Sequence, residues 1–202
     1  MKGTNRRRGF TLIELLIVIS IIGILATLGI TTFPIIKKEV NKMKSKSNLS
    51  EMYKLLMIYN MTYHTYPSMQ PKNTMYTRGG GVRDLYPLYQ TSIMNKDALQ
   101  LLRPPGCALI PFSNNPTPDE FNKEHIGYSY NSTVVPDDSS NPPLLAERGA
   151  ADGLLKKDEK PVFEDGIHIL MCNGQVKFIP SLNGRLQPGD VTSADQLGKL
   201  LE

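Results

Sequence analysis

The chain has 202 residues, of which 40% are hydrophobic and 21% charged, a globular composition that excludes wholesale disorder. Nine basic side chains stand against Glu14 and Glu39 over residues 1–46, whereas the rest of the chain carries 14 basic and 17 acidic residues. The pI near 9.0 therefore belongs to the N-terminus, and with no aromatic-interleaved basic patch in the body of the chain, no nucleic-acid partner is expected.

The first element is an apolar run. Residues 15–36, LLIVISIIGILATLGITTFPII, carry no charge, and as a helix they reach roughly 33 Å against a hydrocarbon core of about 30 Å. A buried core helix fits poorly, because the run has no polar stripe. A cleavable secretory signal needs a shorter apolar core followed by a small-residue site; no A-x-A follows this run, and Ala26 is a poor substitute. A twin-arginine reading of Arg7 and Arg8 lacks the same downstream site. A permanent N-terminal anchor remains, with the lipid bilayer as a partner. Glu14 sits on that anchor, where a carboxylate is costly; by itself it also fits a residue snorkelling to the interface.

The string Arg8-Gly9-Phe10-Thr11-Leu12-Ile13-Glu14-Leu15, after a short basic leader and before the apolar run, closely resembles the prepilin signal of type IV pilins and type II secretion pseudopilins. The resemblance implies cleavage after Gly9 by a prepilin peptidase, N-methylation of the new Phe10 terminus, and assembly of the retained helices into a filament core. In that family the Glu14 carboxylate faces the Phe10 amine of a neighbouring subunit. The physical basis is sound, because two opposite charges that are each expensive in hydrocarbon offset one another's desolvation when they meet. Ser20, Gly23, Ala26 and Thr27 suit close helix approach. Pro34 falls about one turn later than the proline usual in pilin anchors. Removing residues 1–9 leaves 19 basic and 19 acidic side chains. Basic residues flank the run on both sides, so the positive-inside rule does not set the orientation. Leader inside and body outside follow from the resemblance.

Helical periodicity continues past the anchor through Ile36, Val40 and Met43, then Leu49, Met52, Leu56, Tyr59 and Tyr63. One long helix from near Phe10 to near Tyr63 is expected, ending before Pro67. The Lys37 to Lys46 charges read as a solvated face or a headgroup contact. Tyr66-Pro67-Ser68 resembles the helix-to-loop junction of major pseudopilins. Gly79, Gly80 and Gly81 read as a link, since no P-loop lysine follows. Residues 97–102 predict a short helix with Asn95 as its cap. The prolines between 104 and 143 predict an irregular excursion with a brief strand near residues 126–130.

Residues 167–179 read as a hairpin on a two-residue Asn173-Gly174 turn. That register sets Met171 opposite Val176 and Ile169 opposite Phe178, with Ile167 completing an apolar face toward the long helix and His168 on the opposite, solvent or rim side. The segment resembles the hairpin of a pilin-like subfamily with an H-x9-DG ending, although the usual Asp-Gly-His is here Asn173-Gly174-Gln175.

His64, His125 and His168 show no H-E-x-x-H spacing, no G-x-S-x-G is present and neither cysteine has a C-x-x-C partner, so no enzyme is expected. Cys107 and Cys172 fit either one disulfide or two free thiols. No cofactor is expected. Some major pseudopilins bind calcium, and by location Asp190 and Asp195 are the C-terminal metal candidates.

The expected fold is α+β and pilin-like: a long N-terminal spine helix, transmembrane in its first half, packed on a small antiparallel sheet with long irregular loops. The expected organisation is a leader peptide at 1–9, a transmembrane and filament-core helix at 10–36 and a periplasmic domain at 37–202. The function implied is a structural subunit of a type II secretion pseudopilus or type IV pilus-like filament at the bacterial inner membrane, with copies of itself, other pilins or pseudopilins, the prepilin peptidase and an inner-membrane assembly platform as partners. The alternative is a membrane-anchored periplasmic binding or enzymatic domain that does not polymerise.

Overall fold

A computed structural model describes residues 10–69, 81–136, 139–148, 150, 151, 154, 155, 163, 165–182, 185 and 186. The chain divides into two compact units, Met1–Val40 and Asn41–Glu202. Helix α1 (Leu12–Tyr63) contributes residues to both and carries Pro34 within it. It starts where the side chain and backbone of Thr11 meet Glu14, and it stops where His64 takes a left-handed φ of 54°, with Pro67 beyond. Within the apolar run, Ser20 Oγ donates to the Leu16 carbonyl and Thr27 Oγ1 to the Gly23 carbonyl, both at 2.8 Å, so those hydroxyls find partners inside the helix.

In the second unit the stripe Leu49, Met52, Leu56 and Tyr59 is buried, as the 3-4-3-4 spacing requires. The face differs from expectation at both ends: Met43 and Tyr63 are exposed, while Ser45 and Asn48 are buried. Ser45 stands four residues before Leu49 and so shares its side of the helix.

The middle of the chain supplies core through short elements. A 3-10 turn (Gly81–Leu85) leads into α2 (Tyr86–Gln90), and a second 3-10 turn runs Asp97–Leu102. There Asn95 Oδ1 accepts the Ala98 N–H at 2.8 Å, the predicted cap on a tighter helix than expected. Leu85, Leu88, Met94, Leu99 and Leu102 join the helix stripe in one cluster.

The strands are β1 (Tyr128–Tyr130), β2 (Pro143–Glu147), β3 (Ala150–Ala151), β4 (Leu154–Leu155), β5 (Gly166–Met171), β6 (Val176–Leu182) and β7 (Arg185–Leu186). Their order is β1-β2-β5-β6-β7-β4-β3, and every pairing is antiparallel. The body of the sheet is β1-β2-β5-β6, and the remaining strands are two residues long. A long N-terminal helix followed by an antiparallel sheet is the α+β, pilin-like architecture expected.

Two expectations are corrected. The stretch expected to be irregular ends in β2, fully buried between β1 and β5. Pro143 is tolerated because it is the first residue of the strand, and the register shifts between it and Leu145, so its missing N–H breaks no regular ladder. The hairpin is also one residue out of the predicted register: Leu170 pairs with Val176 and His168 with Phe178. Gly174 N–H donates to Met171 O and Met171 N–H to Gln175 O, both at 2.9 Å, and Gly174 has φ 85°. This is a three-residue loop, a type I turn closed by a left-handed glycine. The slip reverses the faces. Leu170 and Cys172 join the helix-side cluster, while Ile167, Ile169 and Met171 are buried on the other face. His168, expected at a rim, is 5% exposed.

Candidate functional site

The N-terminal segment is built by its own local chemistry. Glu14 Oε2 accepts the Thr11 N–H and the Thr11 hydroxyl, each at 2.8 Å, and the Glu14 N–H donates to Thr11 Oγ1 at 3.3 Å. This reciprocal pair is a capping box, which satisfies two of the free donors at the start of a helix. It engages one carboxylate oxygen; Oε1 has no hydrogen-bond partner among the described residues. Sequence reasoning missed Thr11, although the T-x-x-E spacing spells the motif.

Phe10 is 84% exposed, and Leu12, Ile13, Leu15, Leu16, Ile17, Val18, Ile19, Ile21, Ile22, Ile24, Leu25, Phe33, Ile35 and Ile36 are exposed with it. An uncovered apolar surface of this extent exceeds what a dissolved monomer carries and marks a membrane or protein contact. Among the described residues no single helix is long and apolar enough to cross a membrane, but the bent pair Leu12–Thr27 and Thr32–Tyr63 together meets the requirement by length and composition. Gly9 lies outside the described residues, as do Asp190 and Asp195. Among the described residues no group of three or more His, Cys, Asp or Glu side chains is placed to hold a metal ion.

The second unit holds a polar cluster that the sequence did not reveal. Glu147, on β2, is fully buried and accepts three hydrogen bonds. One comes from Ser45 Oγ on α1, one from the His168 backbone N–H at 2.6 Å and one from His168 Nδ1 at 3.0 Å. Tyr128 OH lies 3.1 Å from Ser45 Oγ, and burial pushes the Tyr128 phenol well above the usual tyrosine range. Lys42 pairs with Asp165 and sits 5.2 Å over the Phe178 ring. These contacts tie the helix to β1, β2, β5 and β6. A buried carboxylate is tolerable where each lone pair meets a donor. Its one signal in the sequence was Ser45, on the stripe of Leu49 and Met52.

Cys107 and Cys172 are both free thiols. Cys172 Sγ lies 3.5 Å from Tyr66 OH. Burial pushes the Cys107 thiol up, Glu147 adds to the shift and Arg148 opposes it.

Residues 4–30 match the family described as "Prokaryotic N-terminal methylation motif". The chain is 37% identical over 68 residues to "Type II secretion system core protein G" of Escherichia coli (strain K12), covering 34% of this chain and 47% of that one. It is 34% identical over 65 residues to the protein of the same name from Pectobacterium carotovorum subsp. carotovorum, covering 32% and 42%. It is also 48% identical over 48 residues to "Type IV major pilin protein PilA" of Myxococcus xanthus (strain DK1622), covering 24% and 22%. The chain thus spans less than half the length of the curated relatives it matches. No solved structure matches it significantly. The matched motif and these similarities support the pilin and pseudopilin resemblance read from the residues.

Proposed function

We propose that this chain is a structural subunit of a type II secretion pseudopilus or a type IV pilus-like filament, anchored in the inner membrane by its N-terminal helix and polymerised through it. The observation that carries this reading is the series of exposed Ile, Leu, Val and Phe side chains over residues 10–25 and 33–36, on the segment that bears the methylation motif. Lipid covers such a surface before assembly, and neighbouring helices cover it afterwards.

In this reading residues 1–9 are a leader removed after Gly9, residues 10–36 are the anchor and filament core, and residues 37–202 form a periplasmic domain. The Phe10 amine, once freed and methylated, is the cation that a neighbouring Glu14 receives. The unengaged Glu14 Oε1 supports this, because Thr11 occupies only Oε2. The reading requires no cofactor and no catalysis by the chain itself.

Mass spectrometry of the N-terminal peptide from cells with an active prepilin peptidase tests the proposal. A peptide beginning at methylated Phe10 is the expected result. A protein that keeps Met1 and works as a monomer would overturn it and favour a tethered periplasmic domain.

A further inference from the structure

The filament reading leaves the tip of the β5-β6 hairpin unused, and that tip carries a reactive pair. In an Asn-Gly pair the glycine nitrogen can attack the asparagine carboxamide carbon, because glycine has no side chain to shield it. The glycine nitrogen loses its proton to water or hydroxide, the N–Cγ bond forms, the Cγ–Nδ2 bond breaks and ammonia leaves with a proton returned from solvent. The product is a cyclic imide. Water then opens the ring at either carbonyl and yields aspartate or isoaspartate, the latter carrying the main chain through its side-chain carbon. The chain has two such pairs, Asn173-Gly174 and Asn183-Gly184, of which the second lies outside the described residues.

Asn173 is exposed, so solvent reaches it and conformation alone limits the attack. The folded turn withholds both reacting groups. Gly174 N–H, the nucleophile, donates to Met171 O at 2.9 Å, and the carboxamide that would be attacked is held by Asn173 Oδ1 accepting the Gln175 N–H at 3.0 Å. The backbone on either side is tethered as well: Asn173 N–H donates to Asn141 Oδ1 at 2.8 Å and Cys172 N–H to the Pro142 carbonyl at 2.9 Å. Ring closure requires Asn173 to leave the ψ of about 0° that its place in a type I turn demands, which swings the Gly174 peptide away from Met171. Tyr53 blocks that movement on the helix side, since even a Cβ at Gly174 would lie 2.5 Å from Tyr53 Cε1.

We propose that Asn173 is a conformation-gated modification site, inert while the turn rests on Tyr53 and converted to aspartate or isoaspartate when the hairpin tip lifts. Lifting frees the Gly174 N–H and the carboxamide together, and local openings of this kind need less free energy than global unfolding. Conversion replaces a neutral amide with a carboxylate. Isoaspartate also adds a main-chain carbon to the loop that sets the Leu170 to Val176 pairing, so a tip that has opened keeps a covalent record of it and no longer fits the original turn.

Peptide mapping by electron-transfer mass spectrometry, which separates aspartate from isoaspartate, tests this on the full chain in detergent at mildly alkaline pH. Asn173 should convert about tenfold or more slowly in the folded chain than in the same chain unfolded in guanidinium chloride, and hydrogen exchange should find the Gly174 amide protected to a similar degree. Tyr53→Ala and Asn141→Gly, the latter keeping the left-handed backbone of φ 48°, should each accelerate conversion severalfold while circular dichroism shows the fold retained. The proposal is overturned if folded and unfolded chains convert Asn173 at the same rate, if the Gly174 amide exchanges as fast folded as unfolded, or if a variant that remains folded converts no faster than the wild type. Should both variants unfold, the first two comparisons decide it.

Discussion

Glu14 has two separable roles, one seen within its own helix and one proposed between subunits, and two substitutions tell them apart. Thr11→Ala removes the capping box and should weaken the first turn by about 1 kcal/mol, yet filaments should still form because the carboxylate remains. Glu14→Ala should leave insertion and processing intact but reduce filament yield severely, since the Phe10 amine then has no partner in hydrocarbon. Equal yields from the two variants, quantified in sheared-filament fractions, would remove the intersubunit role. Glu147 is the second residue whose loss should be severe. Glu147→Leu strands the His168 backbone N–H and Nδ1 in the core and should lower unfolding stability by about 3 kcal/mol, whereas Ser45→Ala should cost about 1 kcal/mol. Chemical denaturation of the detergent-solubilised chain measures both, and a Glu147→Leu cost as small as that of Ser45→Ala would contradict the three-donor geometry. Glu14 was legible as a lone carboxylate on an apolar segment, within a string that resembles a known signal, although its partner Thr11, one helical turn away, was missed. Glu147 was not, because its partners lie 102 and 21 positions away and nothing in Leu-Leu-Ala-Glu announces them.

The hairpin shows how far turn chemistry reads at the scale of an element. Asn173-Gly174 marked the turn correctly, but the same dipeptide serves a two-residue loop and a three-residue loop closed by a left-handed glycine. The choice fell to the surroundings: Cys172 N–H donates to the Pro142 carbonyl, and Cys172 is buried beneath Tyr66. Counting Cys172 into the loop moves Phe178 opposite His168 and turns His168 toward the helix. Gly174→Ala should therefore destabilise the second unit by about 1 to 3 kcal/mol, because the new methyl meets both a positive φ and the Tyr53 ring. Thermal melts followed by circular dichroism would register the loss, and an unchanged midpoint would refute the close packing of turn on helix. Strand β2 was illegible for a different reason. Two consecutive prolines argue against a strand, and only a sheet that starts its pairing at Pro143 makes the following four residues central.

For the molecule as a whole, the buried phenols tie stability to pH. Burial pushes Tyr128 and Tyr130 above the usual tyrosine range. Tyr130 OH donates to the Pro67 carbonyl at 3.0 Å, so its proton closes the helix-to-loop junction. Unfolded tyrosines titrate near ~10. The stability from keeping these phenols neutral is therefore fully present below that pH and is lost as pH rises above it. An alkaline absorbance titration should leave part of the signal of the nine tyrosines undeveloped until the unfolding transition. Complete, reversible ionisation of a still-folded chain would exclude the burial of Tyr128 and Tyr130. The N-terminal helix, its motif, the buried helical stripe and the existence of a hairpin could all be read from residue order, because each depends on neighbours within one turn of helix or one tight turn. Strand register, the face that Leu170 and His168 present, the centrality of β2 and the burial of Glu147 came only with the folded molecule. They depend on which distant segments pack together, and a shift of one residue in pairing exchanges the two sides of a strand without altering any local pattern.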